Sequence, residues 1–152
     1  MLFRSGAASP PAACVPTKPS QPFVPPAGYP SVPPDSLGFA WFGSADLWTM
    51  LNVDGETWTA SGLPHEKAGL AQKTFWWSSR WSPDAEPTPA ITVSGQRLDG
   101  DGSFTNGPGT NASADFGTAM LVGIDVPGPG CWRLTATYRD SSLSYTVLIE
   151  DR

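Results

Sequence analysis

Cys131-Trp132-Arg133-Leu134-Thr135-Ala136-Thr137-Tyr138 and Leu143-Ser144-Tyr145-Thr146-Val147-Leu148-Ile149-Glu150 flank the short polar stretch Arg139-Asp140-Ser141-Ser142. In the first run Trp132, Leu134, Ala136 and Tyr138 alternate with Arg133, Thr135 and Thr137. In the second, Leu143, Tyr145, Val147 and Ile149 alternate with Ser144, Thr146 and Glu150. Successive strand side chains point to opposite faces, so a period of two on both sides of a turn predicts an antiparallel hairpin with one apolar face. Four large residues per strand on that face require a second sheet to cover them.

Working back toward the N-terminus, the same pattern of short apolar runs continues. Candidate strands are Phe39–Phe42, Leu47–Leu51, Thr57–Ala60, Lys73–Trp77, Ile91–Ser94 and Thr118–Ile124, bounded by turn signals such as Val53-Asp54-Gly55 and Pro127-Gly128-Pro129-Gly130. Only Ala45–Met50 or Glu66–Gln72 could form a helical turn. With about seven to eight short strands, the expected fold is all-β, an immunoglobulin-like antiparallel β-sandwich; a small β-barrel is the alternative. Seven Trp and seven Phe suit a packed core and not a disordered chain.

Before residue 37 the character changes. Residues 1–36 hold ten of the 17 prolines, including Pro25-Pro26 and Pro33-Pro34. Lacking amide donors, this stretch cannot be a central strand and is expected to be an extended lead or strap, with Phe23, Val24 and Tyr29 as apolar anchors. The domain proper is expected to span 37–152. Met1–Ala13 has no apolar signal-peptide core. Leu2-Phe3-Arg4-Ser5 reads like translated sequencing adapter, so the first residues are candidates for non-native sequence, and Ala12-Ala13 would suit a cleavage site. No apolar run is long enough to cross a bilayer as a helix. Net charge is −5 with scattered Lys and Arg, which argues against nucleic acid and anionic membranes.

The two cysteines bear on compartment. In an oxidising location Cys14 and Cys131 are expected to pair, tying the lead to the end of a sheet. The competing possibility is that Pro11-Ala12-Ala13-Cys14 is a degraded lipobox, with Cys14 lipidated and Cys131 free and buried.

Candidate chemistry is sparse. His65 is the single histidine, and with two cysteines it cannot assemble a nitrogen- or sulfur-rich zinc site. Asp54, Glu56, Asp84, Glu86, Asp99 and Asp101 all fall in predicted loops and read as solvated turn residues. Asp99, Asp101 and Ser103 resemble the start of a calcium loop, but Phe104 and Thr110 stand where an EF-hand needs Gly and Glu. Asn111-Ala112-Ser113 matches the glycosylation triplet. No cofactor motif is present. The aromatic run Phe75-Trp76-Trp77 is more informative, because Trp76 and Trp77 cannot both face one core. One of them, with Trp81, is expected to form an exposed platform for a glycan or an envelope protein, unless the proline-rich strap covers the outward ring.

At Leu47-Trp48-Thr49, Gly62-Leu63-Pro64-His65, Gln72-Lys73-x-Phe75-Trp76-Trp77, Arg97-Leu98-Asp99 and Pro129-Gly130-Cys131-Trp132 the chain resembles an uncharacterised group of small bacterial extracytoplasmic proteins. The resemblance runs from about Cys14 to Glu150, and Gly-Cys-Trp before the last hairpin is its most specific element. Similar chains carry Cys-Pro-Val-Thr where this one has Cys14-Val15-Pro16-Thr17. It implies a secreted or envelope location and no known activity. The expectation is a non-catalytic binding or scaffolding module. The rivals are a small hydrolase using His65 with loop carboxylates and a structural accessory subunit of an envelope complex.

Overall fold

The computed structural model describes residues 14–21, 23–33, 38–66, 69–112 and 118–152. Ala12, Ala13 and Ser113 of the expected cleavage and glycosylation sites lie outside them. The described residues form two sheets. The first has the strand order β1 (Phe39–Ser44), β2 (Leu47–Asn52), β5 (Gly69–Trp77), β9 (Met120–Val126), β8 (Thr110–Asn111), with β4 (His65–Glu66) also on β5. The second has the order β3 (Thr57–Thr59), β11 (Ser141–Glu150), β10 (Gly130–Tyr138), β6 (Ile91–Arg97), β7 (Ser103–Asn106). Both sheets are open, so the fold is an all-β sandwich and not a closed barrel. No described helix is long and apolar enough to cross a membrane.

The β10–β11 hairpin forms as the alternation dictates. Tyr138 pairs with Ser141, so the loop is only Arg139-Asp140, and Arg139 takes φ 56°, the positive angle that two-residue hairpin turns need. Trp132, Leu134, Ala136, Tyr138, Tyr145, Val147 and Ile149 are all buried, facing Leu47, Leu51, Trp76, Val122, Ile124 and Val126 of the first sheet. At Ala45–Met50, where a helical turn could have formed, Ala45-Asp46 is the β1–β2 hairpin turn and the rest is strand. Leu47, Thr49 and Leu51 turn one way while Trp48 turns the other, and both rows are buried, so strand pairing satisfies more apolar surface than a helix would. The described part of Glu66–Gln72 likewise belongs to β4 and β5. There Gly69 sits at φ 135°, with the Val126 backbone filling the space a Cβ would need. Among the described residues the one helical turn is a 3-10 turn at Ala60–Gly62.

Residues 14–21 and 23–33 form a strap on the sandwich. Cys14 is bridged to Cys131, with Cα atoms 5.7 Å apart. The bridge takes the sulfur that a lipid anchor at Cys14 would need, and neither cysteine is free. Thr17 docks beside β11: its N–H donates to the Thr146 carbonyl at 2.9 Å, and its hydroxyl accepts the Thr146 N–H at 2.8 Å. This caps a stretch of open strand edge that would otherwise invite pairing with other chains. The later half of the strap places Phe23 and Tyr29 against Trp48.

Candidate functional site

The first sheet is split. β2 and β5 pair at only two positions, Trp48 with Trp77 and Thr49 with Trp76, although both strands continue beyond them. Two side chains account for the divergence. The Thr49 hydroxyl donates to the Phe75 carbonyl at 2.7 Å, standing in for a backbone rung. The Asn52 N–H, at the far end of β2, donates to Glu56 Oε2 at 2.9 Å, which ties that end of the strand to the turn leading into β3 of the other sheet. Between the separated strands lies a cleft of about 240 Å³. Met50 and Asn52 form one wall and Gln72, Lys73 and Phe75 the other, while Phe39 and Trp58 are half-buried at its rim.

Glu56 and Tyr145 sit at the base, 6% and 5% exposed. Glu56 Oε1 accepts the indole N–H of Trp58 at 3.0 Å, so the carboxylate fixes the plane of that ring. Its backbone links two more segments, with its N–H donating to the Thr17 carbonyl and its carbonyl accepting from the Leu148 N–H. Burial pushes the Glu56 carboxyl above its usual value, against the pull of the Asn52 amide and the Trp58 indole. Burial, reinforced by Glu56, likewise raises the Tyr145 hydroxyl. Among the described residues that hydroxyl has no hydrogen-bond partner, leaving it a donor and acceptor for something entering the cleft. At the rim, Lys73 is exposed and Gln72 folds its side-chain oxygen back onto the Lys73 N–H at 3.1 Å. The arrangement offers flat aromatic surface beside fixed polar groups, the composition of a small-molecule binding cleft.

The residues expected to form a site fall elsewhere. Trp76 and Trp77 face opposite sides as their adjacency requires, but neither is a platform: they are 0% and 1% exposed. Trp76 belongs to the main core, donating its indole N–H to Thr74 Oγ1 at 2.9 Å. Trp77 lies in a second cluster with Trp41 and Trp48, which the strap covers. Trp81 is also buried, its indole donating to the Glu86 carbonyl at 2.8 Å. His65 is exposed on β4 and does not line the cleft that holds Glu56.

The carboxylates divide in the same way. Asp54 is a solvated turn residue, as expected, whereas Glu56, two positions on, is not. Glu86 accepts the Tyr138 hydroxyl at 2.6 Å and the Ala90 N–H at 2.8 Å, and these bonds hold its carboxyl below the usual value. Asp99, of the calcium-like stretch Asp99, Asp101, Ser103, sits in the β6–β7 hairpin. Its Oδ1 accepts from Arg97 Nε at 2.9 Å and from the Cys131 N–H at 3.1 Å. Against the burial that would raise it, those two donors hold its carboxyl below the usual range. Asp99 therefore anchors the bridged cysteine's strand. Among the described residues no group of three or more His, Cys, Asp or Glu is placed to hold a metal.

The sequence signal for the cleft was faint. Glu56 and Trp58 are two apart, hence on one face of a strand, but Asp54-Gly55 just before them reads as a turn. No family model matches the chain, and no curated protein or solved structure matches it significantly.

Proposed function

We propose that the protein is a non-catalytic extracytoplasmic module of a bacterial envelope, binding a glycan in the cleft between β2 and β5. The observation that carries this reading is Trp58: a half-exposed indole whose plane is pinned by a buried carboxylate, next to the unpartnered Tyr145 hydroxyl. A sugar ring presents an apolar face for stacking and hydroxyls for the polar groups beside it, which suits this pairing. The disulfide supports an oxidising location, and the resemblance to small bacterial envelope proteins points the same way.

The test is calorimetric titration of the intact protein with a panel of soluble oligosaccharides. Binding should be saturable, and Trp58→Ala should weaken it by about 2 kcal/mol, or about thirtyfold. No saturable binding across the panel, or equal affinity in the variant, overturns the reading.

A further inference from the structure

All seven tryptophans are described, and their indole N–H groups divide into two sets. Trp58, Trp76, Trp81 and Trp132 each donate to an acceptor: Glu56, Thr74, the Glu86 carbonyl and the Gly128 carbonyl. Trp41, Trp48 and Trp77 are buried, and among the described residues their Nε1 atoms have no partner. These three belong to one cluster, together with Ala119, on the outer side of the first sheet. Buried donors are almost always paired, so three orphans side by side mark a surface built for something besides internal packing.

The strap covers this surface without satisfying it. Phe23 lies 5.5 Å from the Trp48 ring, and Tyr29 meets the same ring edge-on at 4.9 Å. Among the described residues, one hydrogen bond joins 23–33 to the domain, from the Tyr29 hydroxyl to the Ser78 carbonyl at 3.2 Å. Val24 and Val32 point to solvent. The strap thus supplies ring contacts but no acceptors for the indoles. An extended proline-rich chain has carbonyls with no internal partners, and aromatic grooves recognise it by packing on its rings while donating to those carbonyls.

We propose that the Trp41–Trp48–Trp77 face is a recognition groove for a proline-rich segment of another protein, and that residues 23–29 are its resident occupant in cis. The partner is another protein and not the strap of a second copy, because this strap is bridged to its own domain at Cys131 and runs on into its own β1. A tethered occupant competes at high effective concentration, so an incoming segment sees only the fraction of molecules with the groove open. Loosening the strap should therefore strengthen binding in trans. This inference does not depend on the glycan reading of the β2–β5 cleft.

The experiment uses the full chain carrying Phe23→Ala with Tyr29→Ala, a synthetic peptide of residues 19–33 as probe, and the indole N–H signals in nitrogen-15 NMR spectra. The peptide should bind the double variant saturably and at least about tenfold more tightly than wild type. It should shift the signals of Trp41, Trp48 and Trp77 and leave Trp58, Trp76, Trp81 and Trp132 in place. Absence of saturable binding to a folded double variant overturns the proposal, as does binding that moves Trp58 instead. If the double variant loses its dispersed spectrum, Tyr29→Phe removes only the bond to Ser78. That variant should still bind the peptide more tightly than wild type, and equal binding overturns the proposal. An oligosaccharide that shifts the same three indoles and displaces the peptide would reassign the groove.

Discussion

Breaking the Cys14–Cys131 bridge should lower the thermal midpoint by about 15 °C while leaving the folded structure in place. The bridged residues are 117 positions apart. In the chain-entropy account a loop of that length costs the unfolded state about 4.9 kcal/mol of conformational freedom at 25 °C. A domain of this size gains about 0.3 kcal/mol per degree in unfolding entropy near its midpoint, which converts the loss into the stated shift. The folded state should hold, because the strap keeps its two Thr17–Thr146 bonds and the Phe23 and Tyr29 ring contacts when the sulfurs part. The assay is differential scanning calorimetry of wild type with and without a phosphine reductant, beside Cys14→Ser, with near-ultraviolet circular dichroism at 25 °C as the check on folding. A shift below about 3 °C would refute the argument that the bridge acts by restricting the unfolded chain. A collapse of the near-ultraviolet signal at 25 °C would refute the claim that the strap stays docked without it.

Two further outcomes follow from single side chains. Because burial raises the Glu56 carboxyl from its usual 4.5, its contribution to stability is full below that value and is lost as pH rises through the higher folded-state value. Denaturant melts from about pH 3.5 to 7 should show Glu56→Gln gaining on wild type as pH rises, and a constant difference would contradict the assignment. A Cβ at Gly95 would fall on the Phe104 ring, which packs 5.6 Å from Trp132, so Gly95→Ala should destabilise the protein by about 1–3 kcal/mol in the same melts.

The strands that read clearly in the sequence were those whose own alternation fixes a buried face. β10 and β11 are the extreme case, each carrying its pattern over the full length. β4, β7 and β8 are two to four residues of largely polar sequence held by a neighbour, and nothing in their composition distinguishes them from loop. The bridge was legible because two cysteines leave one pairing. The tryptophans were half legible. Adjacency sends Trp76 and Trp77 to opposite faces, but whether the outward face meets water depends on where a strap fifty residues upstream comes to rest, which alternation does not encode. Glu56 was hidden for a similar reason. Its surroundings are made by Asn52, Trp58, Thr17 and Leu148 converging from four segments, and a carboxylate after Asp54-Gly55 looks like any other turn residue until they arrive.

The pairing of β3 alongside β11, in parallel, together with the seat of Thr17 on Thr146, sets a timetable for the chain's birth. Both N-terminal elements wait for the last strand to be synthesised; Thr17 and Thr146 lie 129 positions apart. Closing such distances early gains little for the entropy it costs, so β3 and the Thr17 end of the strap stay without their β11 partners until the last strand is made. β10 and β11, joined by a two-residue loop, can pair locally once they emerge, as β1 and β2 can before them. Until β10 and β11 emerge, Leu47, Leu51 and Trp76, whose cover comes from those two strands, lack that cover together, the interval in which aggregation competes with folding and a holding chaperone would matter most.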